Sequence, residues 1–136
     1  MNAQNSPDPG VAGSGTAVAG LAMLTLDAAD ATELGRFWSA VLGWPVAYEG
    51  DGVVMLQGPG HALGIGEIPD YQPPSWPDAG RKQFHLDLAA DDVAEAAARC
   101  VELGATRPAE QPGQTWVVLL DPAGHPFCVT DAKAWA

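Results

Sequence analysis

Positive charge is scarce in this chain. Lysine and arginine together number 6 against 17 aspartates and glutamates, a formal net charge of −11. Such a surface repels phosphates, so nucleic acid is excluded as a partner, while neutral or cationic small molecules stay compatible. Long apolar runs are missing as well: nothing approaches the ~20 residues that cross a bilayer, and no membrane partner is expected. No basic segment followed by an apolar stretch opens the chain, so no secretory signal is read and a cytoplasmic setting is the expectation. Cysteine is limited to Cys100 and Cys128, which form no CxxC pair and are expected to be reduced. P-loop, GxGxxG and zinc-finger spacings are absent, as is a Ser–His–Asp order.

What is present fits one domain of 136 residues, long enough to bury a core. Residues 1–20, "MNAQNSPDPGVAGSGTAVAG", lack periodicity and bulky side chains and read as a flexible tail. The rest, 21–136, reads as a single domain in two modules. Module one covers 21–68. It opens on a strand, "LAMLTLDA", with Leu24 and Leu26 on one face and Met23, Thr25 and Asp27 on the other. Asp30 and Glu33 form a capping box, and Leu34, Phe37, Trp38, Val41 and Leu42 recur at helical spacing. Gly43 and Pro45 stop that helix. Strands are predicted near 45–49, 52–57 and 62–68. The linker, 69–82, is too rich in proline for either regular structure.

Module two, 83–132, repeats the order. A strand over 83–89 precedes a helix from Asp91 or Asp92 to Leu103, and Gly104 stops it. Strands are predicted near 105–108, 114–120 and 126–131, with "DPAG" (121–124) turning between the last two. Each half therefore reads β-α-β-β-β, and the halves superpose at an offset of about sixty residues, the mark of internal duplication. The fold class is α+β. A sheet with one helix buries only one of its faces, so two such modules are expected to curl around a shared hollow lined by the helix-distal residues. In this register His85 matches Met23 on that distal face. It stands either as a structural histidine bonded to Gln83 or Asp87, or as a base or hydrogen-bond donor.

"DATELGRFWSAVLGWPV", "FHLDLAADDVAEAAARCVELGAT" and "LLDPAGHPFCV" resemble the vicinal-oxygen-chelate superfamily, which includes glyoxalase I, bleomycin-resistance proteins and extradiol dioxygenases. The similarity is greatest to actinobacterial glyoxalase-like proteins. It covers about 21–132 and implies two tandem βαβββ modules forming a curled, cleft-bearing mixed sheet, and a homodimer. Metal-dependent members of the superfamily place one ligand on each of four strands. Carried over by position, those sites are Met23, Glu67, His85 and Cys128. Met23 is a soft thioether, and Cys128 stands where a glutamate is expected. Only His85 and Glu67 remain as catalytic or metal-ligating candidates, an incomplete set, so no cofactor is expected and a divalent metal is disfavoured. Glu67 shares its strand face with Leu63 and Ile65, so a one-residue slip decides whether it reaches the hollow.

Tyr71, Trp76 and Trp116 are candidate ligand-binding aromatics, with Met23 and Cys128 beside them in the hollow; the linker pair could equally plug the seam between modules. His61 and His125 follow hairpin glycines and read as turn residues, as does Asp121. The function expected is small-molecule binding between the modules over a degenerate metal site. The alternatives are a metal-dependent lyase, isomerase or dioxygenase acting on a small oxygenated metabolite, and a resistance protein binding a cationic, bleomycin-type antibiotic.

Overall fold

Local chemistry starts and stops both helices where the sequence places them. The structure, a computed structural model, describes residues 17–77, 82 and 84–135; the first sixteen residues of the expected tail lie outside these. β1 spans Met23–Ala28, α1 Ala31–Leu42, β2 Val46–Gly50, β3 Val53–Gln57 and β4 Ala62–Glu67. After the linker come β5 (Leu86–Ala90), α2 (Val93–Leu103), β6 (Val117–Leu120), β7 (Pro126–Asp131) and a 3-10 turn over Ala132–Trp135. The Asp30 carboxylate accepts from the Glu33 amide at 3.0 Å, and Asp92 accepts from Glu95 at 3.0 Å. Gly43, at φ 70°, closes α1 by donating to the Ser39 carbonyl at 2.9 Å.

The strands form a four-stranded sheet, β1-β4-β3-β2, and a three-stranded one, β5-β7-β6. The duplication shows in the parallel pairs. Leu24 and Leu26 face Leu63 and Ile65 as Leu86 and Leu88 face Phe127 and Val129. Among the described residues the modules share no hydrogen-bonded sheet, and β1 and β5 remain edge strands. What joins the modules is one core built from the helix-bearing faces of both sheets, with Leu34, Phe37, Trp38, Leu56 and Ile65 meeting Cys100, Leu119, Phe127 and Val129. The Trp38 ring meets Phe127 edge-on at 4.9 Å between centroids, and Phe37 meets it at 6.1 Å.

The strand expected over 105–108 is reduced to a bridge between Thr106 and Leu120. Its place along β6 is taken by a side chain: the Gln111 amide accepts from the Val118 N–H at 2.9 Å and donates to the Val118 carbonyl at 2.9 Å. Pro108 and Pro112 bracket that segment and remove two of the donors a strand would need. The strands read from 83 and 114 begin later, at Leu86 and Val117.

Gly35 tests how closely α1 sits on its sheet. A Cβ there would lie 2.6 Å from Cγ1 of Val54. Alanine gains roughly 1 kcal/mol of helix propensity over glycine, whereas overpacking of this kind costs typically ~1–3 kcal/mol, and a branched valine has little room to yield. Gly35→Ala is therefore expected to lower the urea midpoint; a raised midpoint would show that the helix lifts off β3 at no cost.

Candidate functional site

Alternation along β1 turns Met23, Thr25 and Asp27 away from the core, and the linker crosses in front of the last two. A hollow of about 560 Å³ results, lined by Thr25, Asp27, Tyr71, Ser75, Lys82, Phe84 and His125 among others. A smaller one of about 190 Å³ lies along the seam between the modules, where Leu24 and Thr25 meet Phe84, His85 and His125.

The floor is organised by Asp121. Its carboxylate is buried and accepts from the Trp38 indole N–H at 2.9 Å, from the backbone N–H of Ala123 and of His125 at 2.9 Å each, and from the His125 ring. Nδ1 of His125 lies 2.9 Å from Oδ2 of Asp121. On the other side of the ring, Nε2 lies 3.1 Å from the Tyr71 hydroxyl, which also donates to the Ala123 carbonyl at 2.8 Å. Burial pushes the Tyr71 phenol up to about 12, with the charges of Asp121 and Asp27 adding to the effect.

A second cluster lies on the outer face of β5 and β7. Asp87 pairs with Cys128 across the two strands, and Nε2 of His85 is 3.4 Å from Oδ1 of Asp87. Trp76 covers this face, burying Cys128 and Val118, and the Lys82 ammonium sits 5.1 Å above the Trp76 ring centroid.

The expected site residues part company here. His85 reaches the seam and Tyr71 the larger hollow. Glu67 does neither. It lies on the face of β4 that carries Leu63 and Ile65, and its carboxylate accepts from the Ala31 N–H at 3.2 Å, capping α1. The pairing of His85 with Glu67 is thus corrected: the strand alternation sends them to opposite faces, and the ladder matches Glu67 with Asp131, leaving Gly64 opposite Cys128. Met23 lies over Gly64, outside both hollows. Trp76 and Cys128 pack together as a small core rather than lining the hollow. Trp116 folds over Gly113, away from the hollow. Thr25, Asp27, Lys82, Phe84 and His125 line it instead. Of these, Thr25 and Asp27 were visible as the polar face of β1; His125 carried no local signal beyond its turn.

The sequence profile of the glyoxalase-like domain matches residues 23–130. The chain belongs to the glyoxalase-like domain family. Solved structures agree in fold. A glyoxalase-related enzyme from Fulvimarina pelagi is 24% identical with TM-score 0.58, covering 81% of this chain and 86% of its own. A glyoxalase/bleomycin resistance protein/dioxygenase family enzyme from Burkholderia phytofirmans is 16% identical with TM-score 0.64, covering 84% and 99%. A trypanothione-dependent glyoxalase I of Leishmania major is 18% identical with TM-score 0.62, covering 83% and 86%. No curated protein matches the sequence significantly. Among the described residues, no helix of this glyoxalase-like chain is long and apolar enough to cross a membrane.

A four-strand metal site does not fit these residues. Module one offers a thioether and a glycine at the matched positions, Met23 and Gly64. Module two offers His85, Asp87 and Cys128, whose ligand atoms lie within 4.8 Å of one another. The Cys128 thiol, however, is pushed up to about 11 by burial, by the Asp87 charge and by a hydrogen bond to Asp87, with Lys82 opposing. A metal there has to take the proton off that thiol, because the ligand is the thiolate.

The same shift makes stability fall in alkali. The unfolded thiol ionises near 9.0 and the folded one near 11. Between those values the folded chain holds a proton that the unfolded chain has lost, so the contribution is complete below pH 9 and lost as pH rises towards 11. Urea unfolding across this window is expected to lose roughly 1–3 kcal/mol through this thiol, and Cys128→Ala should flatten that part of the slope. An unchanged slope in the variant would contradict the assignment.

Proposed function

We propose that this glyoxalase-like protein binds a small molecule in the hollow between β1 and the linker, without a metal. The observation that carries the reading is convergence. Side chains of β1, the linker, the residues just before β5 and the β6–β7 turn bring hydroxyls, two aromatic rings, an imidazole and charges of both signs to one hollow of about 560 Å³. That is the mix of apolar walls and few polar groups by which small ligands are held and oriented. The strongly acidic surface favours cationic or neutral ligands arriving from solution. A cytoplasmic setting and descent from the actinobacterial branch belong to the same reading, as does pairing with a second copy. The outer face of the first sheet, with Met23 and Val53 exposed over Gly64 and Gly66, offers a surface for that contact.

A thermal-shift screen of the full chain tests it, using antibiotics, thiol conjugates, aromatic metabolites and divalent metals. A ligand at a hundred times its Kd stabilises by about 2.7 kcal/mol, a rise on the order of 10 °C for a chain of this length. At least one organic compound is expected to raise the Tm, the metals alone are not, and Thr25→Trp, which fills the hollow from an exposed strand position, should abolish the rise. No organic hit, or a rise that survives Thr25→Trp, would overturn the reading.

A further inference from the structure

Two charges of opposite sign line the hollow from different elements. Asp27 stands on β1, and Lys82 stands at the end of the linker. Among the described residues neither forms a salt bridge, with the other or with a third group. They act on different neighbours. The Asp27 charge helps to raise the Tyr71 phenol, behind burial and Asp121, whereas the Lys82 charge acts on the Cys128 thiol of module two, against the larger effect of burial. Trp76 positions the cation: its buried ring lies 5.1 Å from the ammonium, and a ring face engages an ammonium without using up its three N–H bonds. The imidazole of the wall is already spent. Nδ1 of His125 is engaged by Asp121 and Nε2 by the Tyr71 hydroxyl, which itself donates to the Ala123 carbonyl. Recognition of a ligand's charge therefore falls to Asp27 and Lys82.

A ligand with a single charge is attracted by one of these groups and repelled by the other. A neutral ligand strips water from both and pairs with neither. A ligand with one charge of each sign satisfies both, and being neutral overall it is not turned away by a surface of net charge −11. We propose that the hollow takes small zwitterions, an ammonium and a carboxylate on one apolar body, with the ammonium on Asp27 and the carboxylate on Lys82. This rests on the hollow being the binding site. Thr25 lies two residues from Asp27 on the same face of β1 and adds a hydroxyl acceptor for the ammonium. Ser75, on the linker, adds a hydroxyl donor for the carboxylate. Phe84 lines the hollow yet is 91% exposed, and the apolar body of the ligand covers that ring. Free amino acids and short peptides share this chemistry and differ in how far apart the two charges lie.

Calorimetric titration of the full chain with L-phenylalanine and with the dipeptide alanylphenylalanine compares the two sources. Each is titrated beside its carboxamide, which keeps the ammonium alone, and its N-acetyl form, which keeps the carboxylate alone. At least one zwitterion is expected to bind, about tenfold or more tighter than either of its capped forms, the effect of losing a hydrogen bond to a charged partner. Asp27→Asn should erase the preference over the N-acetyl form and keep the preference over the carboxamide; Lys82→Met should do the reverse. A capped form that binds as tightly as its parent, or preferences that survive both substitutions, would overturn the proposal while sparing the binding reading. So would failure of both zwitterions to bind when other compounds raise the Tm. If no organic compound raises the Tm, the binding reading falls and the proposal with it.

Discussion

Replacing Asp121 with alanine is expected to lower the unfolding free energy by about 3–5 kcal/mol, a third or more of what a domain of this size usually possesses. The reason is the number of donors left behind. The Trp38 indole N–H is buried and has Asp121 as its partner. The amides of Ala123 and His125 turn inward on the same carboxylate. Each stranded donor costs ~1–3 kcal/mol, less where water can reach the turn. Asp121→Asn keeps the volume and one acceptor oxygen, but its amide group then faces two donors, Trp38 Nε1 and His125 Nδ1, so an intermediate loss is expected. Urea unfolding of the two variants checks both values. A loss under about 1 kcal/mol for the alanine variant would mean that the turn re-forms around water and that Trp38 finds another partner.

Phe127→Ala is expected to cost about 3–5 kcal/mol and to weaken both modules at once. Phe127 is 0% exposed and lies on β7 between Leu86 and Leu119, with the Phe37 and Trp38 rings of module one against it. Truncation leaves a cavity that helix α1 can close only by pulling away from its own sheet. Because the ring belongs to a core that both modules share, loss of Trp fluorescence and loss of far-ultraviolet circular dichroism should stay coincident in the variant. Two separated transitions would show that each module carries its own core, contrary to the packing described here.

Sequence pattern was a good guide to what depends on neighbours in the chain. Asp30 and Asp92 cap the helices they precede, Gly43 takes the left-handed conformation, and the two leucine pairs on β1 and β5 repeat in register. It was a poor guide where a single residue of register decides. Glu67 stands one position from the outer face of β4, and the pleat alone sends it to the α1 terminus. It also failed where a side chain replaces backbone, as Gln111 does along β6. The site was least legible of all. Tyr71 meets His125 across 54 positions, and Trp38 meets Asp121 across 83. A turn histidine and a turn aspartate look alike whether or not a distant phenol and indole arrive beside them.

The most direct test is an amide chemical-shift map of the full chain titrated with a compound that raises its Tm. The expected result is a set of perturbations centred on Thr25, Asp27, Tyr71, Lys82, Phe84 and His125, with the outer face of the first sheet around Val53 and Met55 unmoved at low protein concentration. Perturbations confined to the shared core, to the α1–α2 surface, or to Gly64 and Val53 without His125 would place the ligand elsewhere and contradict the central claim.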